Sequence, residues 1–249
     1  GVTINGGEVI NSKYVFIAAG REGASWLHNI AKINGIKISN NQIDIGVRVE
    51  TNDLIMEEIN EHLYEGKFVY NTSLGTHVRT FCSNPSGHVV VENHGGTVLA
   101  NGHAYSNPAL GTTNTNFALL VSHQFEPPFN NPHKYGHAIG GIANQITGGT
   151  VIVQRYGDLL NKRATTHEDL IDNFVTPSLK EAVPGDLGLV LPYNTLQSVI
   201  EMMEALNHIT PGIASAHTLL YGVETKFYSA RFKTTDKFET DVKNLFIGG

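Results

Sequence analysis

The sequence predicts a mixed fold of the α/β class (α+β mixed): a strand, glycine turn and helix near the start, and a larger, mostly antiparallel, β-rich body that also carries helices. Three observations predict it. Residues 14–19 form an unbroken apolar run stopped by Gly20, the pattern of a strand covered on both faces. Between residues 68 and 122, short β-type runs alternate with glycine and proline turns. With 249 residues, 41% hydrophobic and only 16% charged, the chain can bury a sizeable core and does not have the composition of a disordered tail.

Taken in order, Asn5-Gly6-Gly7 between two short β-branched runs has the chemistry of a tight hairpin. Beyond Gly20 and Gly23, the spacing of Trp26, Leu27, Ile30 and Ile33 predicts a helix, completing a half-unit of an α/β domain. Residues 43–50 have strand composition, and Asn52 and Asp53 can cap a helix carrying Ile55, Ile59 and Leu63. Strands are expected at 68–70, 76–82, 88–92, 97–100 and 117–122, with a polar loop at 111–116. After Pro127-Pro128 and Pro132, a helix with Tyr135, Ile139, Ala143 and Ile146 on one face runs to Gly148-Gly149. Residues 151–160 and 169–174 read as short helical or irregular pieces. The clearest helix has Thr195 as its cap and Leu196, Val199, Ile200, Met203 and Leu206 as its stripe, and ends at Pro211-Gly212. A strand at 228–233, a charged turn at 236–243 and a buried strand at 245–247 close the chain.

Composition excludes several functions. Seventeen basic and 23 acidic residues leave a charge of -6, the wrong sign for neutralising nucleic-acid phosphates. No apolar run is long enough to cross a bilayer, so no membrane partner is expected. The single cysteine, Cys82, cannot close an internal disulfide, which fits a reducing, cytoplasmic compartment. Gly1 opens the chain inside a strand-like pattern, and Phe246-Ile247-Gly248-Gly249 ends it on an apolar strand, so both ends are expected to be cuts in a longer protein.

Among the twelve histidines, His133 and His137 share an i, i+4 spacing, and His88, His94 and His103 lie on adjacent strands and turns. No glutamate stands beside His133; the other three could converge on one sheet face, but strands alternate sides and their register is open, so no metal site is expected. Cys82 in an apolar strand reads as an inert thiol. There is no Gly-x-Ser-x-Gly elbow, no Walker loop and no complete Gly-x-Gly-x-x-Gly cradle.

The run Val15-Phe16-Ile17-Ala18-Ala19-Gly20-Arg21 resembles the alanine-threonine-glycine segment of two-dinucleotide-binding flavoproteins, with alanine in place of the threonine. The segments 80–90, Asn101-Gly102 with Ser106, 114–121, and Gly222-Val223-Glu224-Thr225-Lys226 with Ser229 and Arg231 resemble, in family order, the uncharacterised FAD-dependent dehydrogenases, also called NAD(FAD)-utilising dehydrogenases. Asn84 stands where many members carry a second cysteine, and Lys226 and Ala230 where arginine and proline are common. The resemblance implies that residues 1–35 and 240–249 are remnants of an FAD/NAD(P)-binding Rossmann-like domain. Residues 36–239 would be its inserted, mostly antiparallel substrate-side domain, covering the flavin and shaping the pocket for an unknown small molecule. It places Ala18, Ala19, Gly20, Arg21, Gly248 and Gly249 at the cofactor and makes Cys82, Asn101, Asn116, Glu224 and Thr225 the substrate-side candidates. The parent chain is expected to be an FAD-dependent dehydrogenase. The 249 residues lack the glycine cradle and are expected neither to retain FAD nor to act alone. The alternative is an independent β-rich binding or scaffold module.

Overall fold

A computed structural model describes residues 1–248; Gly249 lies outside the described residues. The chain begins with β1 (Val2–Ile4), β2 (Glu8–Ile10), β3 (Val15–Ile17), α1 (Ala24–Asn34) and β4 (Ile38–Ser39). Next come β5 (Ile43–Asn52), α2 (Asp53–His62), β6 (Val69–Asn71), β7 (His77–Asn84), β8 (His88–His94) and β9 (Thr97–His103). β10 (Asn114–His123), α3 (Pro132–Thr147), β11 (Ile152–Arg155), α4 (Tyr156–Leu160), α5 (His167–Ile171) and β12 (Val183–Pro184) follow. The last elements are α6 (Tyr193–Asn207), β13 (Leu219–Lys226), β14 (Arg231–Phe232) and β15 (Leu245–Ile247).

Two compact units result. The first gathers Gly1–Ile43, Gln124–Pro132 and Phe227–Gly249; the second gathers Asp44–His123 and His133–Lys226. Residues 36–43, 124–132 and 227–239 therefore cluster with the terminal segments.

In the second unit a seven-stranded sheet runs in the order β12-β11-β13-β5-β10-β7-β6. Every strand pair with a defined register in it is antiparallel except β11 with β12. The mixed class and the mostly antiparallel body are as the turn spacing predicts. β5 and β10 are buried along nearly their whole length because the ribbon β8–β9 and the helices α2 and α6 all lie against the sheet. Continuous apolar runs such as Phe117 to Val121 suit that double cover. Gly46 permits the close approach of β5 to β10, since a Cβ there would stand 1.8 Å from the Leu119 carbonyl oxygen.

Several elements differ from their sequence reading. The segment 111–116 is not all loop: Asn114, Thr115 and Asn116 open β10 and are buried. Residues 151–160 hold a true strand, β11, before the short α4. β13, central to the sheet, has no counterpart in that reading because Gly222 and Glu224 interrupt its apolar pattern. Helix α6 starts after Pro192, so Thr195 lies inside it, buried against His123 at 3.0 Å rather than capping. α3 turns Gly140 and Ala143 inward and leaves Ile146 exposed; a Cβ at Gly140 would meet Leu99 and Thr97 at 2.7 Å.

In the first unit, β1 and β2 form the expected hairpin with Ile4 opposite Glu8. β3 and β15 pair in parallel, Ile17 opposite Ile247, so these two apolar runs are neighbours in one small sheet, as their shared pattern predicts. β3 is not covered on both faces, however, for Phe16 is 66% exposed. A two-stranded sheet offers its middle residue little cover. α1 likewise buries Ala24, Leu27 and Ala31, whereas Trp26 and Ile33 face outward. The strand at 228–233 shortens to β14, paired with β4.

Candidate functional site

Within the second unit, four of the five substrate-side candidates converge on a residue the sequence reading passed over, Arg48 of β5. Its side chain is fully buried. Arg48 Nη2 donates to Glu224 Oε1 at 2.8 Å and to Asn101 Oδ1 at 3.1 Å, and Nη1 donates to the Cys82 carbonyl at 2.9 Å. Asn84 Nδ2 donates to the same carbonyl at 3.0 Å and to Asn116 Oδ1 at 3.3 Å. Asn101 Nδ2 continues the chain to Glu92 Oε2 at 2.7 Å.

The sheet produces this convergence. Arg48 and Glu224 sit on adjacent strands, and the register shift of β13 between Tyr221 and Glu224 sets Glu224 opposite Gly46. Cys82 and Asn84 end β7, Asn116 begins β10, and Asn116 pairs with Asn84 across the ladder. Asn101 and Glu92 enter from the ribbon β8–β9. Gly102 leaves space for the three strands to meet. A Cβ there would fall 2.2 Å from Asn116 Oδ1, 2.6 Å from Asn84 Nδ2 and 2.8 Å from Arg48 Nη1. The order Asn101-Gly102 thus has a steric cause, and a lone arginine inside the strand-like run 43–50 was the available signal for Arg48.

The cluster is polar, buried and incompletely paired. Arg48 Nε, Asn116 Nδ2 and Glu224 Oε2 are buried without a hydrogen-bond partner. Burial raises the pKa of Glu224, the Arg48 charge and hydrogen bond oppose that rise, and the Glu92 charge adds to it. Cys82 takes a left-handed backbone at φ 54°, and its N–H donates to Glu65 Oε1 at 2.7 Å. Thr225, the fifth candidate, keeps a buried hydroxyl without a partner, and no hydrogen bond joins it to Arg48.

A second carboxylate anchors the same sheet. Glu50 accepts from Asn114 Nδ2 at 3.0 Å and from the Tyr221 hydroxyl, which burial and the Glu50 charge hold well above the usual phenol range. Asp44 pairs with Arg79 at 2.7 Å and accepts from Ser122, and the Lys226 ammonium lies 3.8 Å from the centre of the Phe81 ring. These groups surround the cluster without joining it.

The histidines of the ribbon β8–β9 separate along its length. His88 and His103 are directly opposite across the ribbon and both meet the Tyr105 ring edge-on. His94 lies at the other end, its ring 6.4 Å from that of His137. Among the described residues, no group of three or more His, Cys, Asp or Glu could hold a metal ion. No helix there is long and apolar enough to cross a membrane.

In the first unit, the Ala18–Arg21 segment follows the carboxyl end of β3, and the Gly248 N–H donates to the Ile17 carbonyl at 3.0 Å. Gly20 takes φ 58° with open space where a Cβ would point. The Gly23 N–H closes the turn onto the Ala19 carbonyl at 3.3 Å. A hollow of about 330 Å³ is lined by Asn41, Arg231, Phe238, Ile247 and Gly248, among others. Five of the six cofactor-side candidates thus meet where two parallel strands end, and the sixth, Gly249, lies outside the described residues.

Cluster and sheet together define an α+β domain organised round one buried arginine–glutamate contact. A family model described as "FAD-dependent protein, C-terminal domain-like" matches residues 42–227, nearly coincident with the second unit. The chain belongs to that family. No curated protein matches the chain.

Proposed function

We propose that the chain is part of an FAD-dependent oxidoreductase of the dehydrogenase kind, in which the family-matched domain is the substrate side, covering the flavin ring and shaping a small-molecule pocket. The observation that carries this reading is the gathering of Cys82, Asn101 and Glu224 on buried Arg48, with Asn116 joined through Asn84, inside residues 42–227. A cluster this tightly bonded is rigid, and rigidity is what orienting a substrate requires. FAD, when bound, supplies the hydride or electron transfer itself. The protein residues supply position and exclude water.

Residues 1–35 and 240–249 fit, on this reading, one edge of the flavin-binding domain. Ala18, Ala19 and Gly20 have side chains too small to block a flat ring, Gly20 leaves its backbone open, and the hollow beside Gly248 gives room. Parallel strands bind ligands at their carboxyl ends, where Ala18 and Gly248 stand. The pyrophosphate lacks a glycine cradle within these residues, so its backbone donors must come from elsewhere in the parent protein. The reducing, cytoplasmic compartment inferred from the single cysteine belongs to the same proposal.

The test compares the 249 residues with the full parent protein. The parent is expected to purify yellow, with flavin absorbance that bleaches on reduction by NADH, NADPH or another donor. The 249-residue chain is expected not to retain FAD, because each lost charge-assisted donor forfeits roughly 1.5 to 3 kcal/mol. A colourless parent that refuses added FAD would instead indicate a binding or scaffold module.

A further inference from the structure

The Arg48 cluster holds two carboxylates and one guanidinium, and their geometry does not balance them equally. Glu224 receives a single bond from Arg48, on Oε1, while Oε2 is buried without a donor. It is not the two-pronged pairing that best holds a buried carboxylate ionised. The guanidinium is shared: Nη2 also serves Asn101 and Nη1 serves the Cys82 carbonyl. Through Asn101, Glu92 leans on the same arginine. Glu92 is half-buried and keeps contact with solvent, whereas Glu224 is buried. Ionising both acids leaves one excess negative charge in the cluster, and the acid with less water bears the greater cost.

We propose that Glu224 is a proton-binding site, holding a proton on Oε2 at neutral pH, with Arg48 and Glu92 setting its affinity in opposite directions. A neutral carboxyl with one unpaired oxygen is far cheaper to bury than a carboxylate with one. Among the described residues, Arg48 is the cation bonded to Glu224. β5 brings Arg48, the ribbon β8–β9 brings Glu92 and neutral Asn101, β7 brings Asn84 and the Cys82 carbonyl, and β10 brings Asn116. Along β13, Lys226 lies over Phe81 and is paired in register with Asp44, and Tyr221 bonds Glu50. β11 offers Arg155 only opposite Leu219, where it is paired with Asp158 and Asp169. Burial and the Glu92 charge shift Glu224 toward its protonated form in agreement with this geometry. If the flavoprotein reading holds, Glu224 is a proton source on the substrate side; the site itself rests on the cluster alone.

Infrared difference spectroscopy across a pH titration tests it on the full 249-residue chain, without flavin. At neutral pH a carboxylic-acid carbonyl band is expected, shifted by D2O and absent in Glu224→Gln. Glu92→Gln removes the like charge and should lower the titration midpoint by about one pH unit, a tenfold loss of proton affinity. Circular dichroism and melting confirm that each variant is folded. Should Glu224→Gln not fold, the Glu92→Gln shift decides alone. The absence of a neutral-pH band, its persistence in folded Glu224→Gln, or a midpoint unmoved by Glu92→Gln overturns the proposal. None of these outcomes bears on whether the parent binds FAD.

Discussion

At the residue scale, buried Arg48 ties three strands together through Glu224, Asn101 and the Cys82 carbonyl. Removing it strands Glu224 in the interior and frees the Cys82 carbonyl and Asn101 at once. Arg48→Ala is therefore expected to cost about 3 kcal/mol or more, read from urea midpoints, since three buried acceptors each lose a donor at about 1 to 3 kcal/mol. Gly102→Ala should cost roughly 1 to 3 kcal/mol, since the new methyl overlaps three polar atoms held by other bonds. pH adds a signed expectation. A carboxyl whose folded pKa is raised contributes stability that is complete below its unfolded value and declines as pH rises through the folded value. Glu224→Gln should lack that decline, so wild-type and variant stabilities, measured over a pH series, should diverge upward from the acidic end. Asp169 runs the other way. Hydrogen bonds from Arg163 and Thr166 depress its pKa, so that contribution is present above the ordinary carboxyl range and lost as pH falls.

At the element scale, local chemistry explains the helix ends better than the helix faces. Asn52 accepts from the Leu54 N–H at the start of α2, where sequence reading places the cap, and Asn52→Ala is expected to lower the melting midpoint by the equivalent of about 1 kcal/mol. The Asn52 cap is legible because it depends on neighbours in sequence, whereas Thr195 lies inside α6, which starts earlier, after Pro192. The buried faces of α1 and α3 are not legible, because small residues such as Ala24, Ala31, Gly140 and Ala143 turn inward where the elements approach closely, leaving larger Trp26, Ile33 and Ile146 outside. β13 escaped notice for a related reason. Its polar Glu224 is tolerable in a central strand only because Arg48 waits on the next one.

At the scale of the whole molecule, the two units differ in how their backbone is protected. β5, β10 and β13 are buried centrally in a seven-stranded sheet, whereas β1 and β2 form a lone hairpin with mostly exposed residues. Hydrogen exchange followed by mass spectrometry should find the slowest amides in β5, β10 and β13 and fast exchange throughout β1–β2. Comparable protection of the hairpin would show that it is stabilised by more than its own pairing. The family match over residues 42–227 points to the same division.

By itself the sequence determined the mixed class, the turns at Asn5-Gly6-Gly7 and Gly20, and the neighbouring of the runs at 15–17 and 245–247, and it put forward Cys82, Asn101, Asn116 and Glu224 as candidates. These depend on residue type, short spacing or motif order. Only the tertiary structure decided that Arg48 joins those four candidates, that Gly102 makes room for them, and that Thr225 stands apart. Arg48 and Glu224 are separated by 176 positions along the chain, and it is the strand order and one register shift that place their side chains 2.8 Å apart. Periodicity reports which side of a strand a residue occupies, but not which distant strand lies beside it, and a buried charge acquires its meaning from that neighbour.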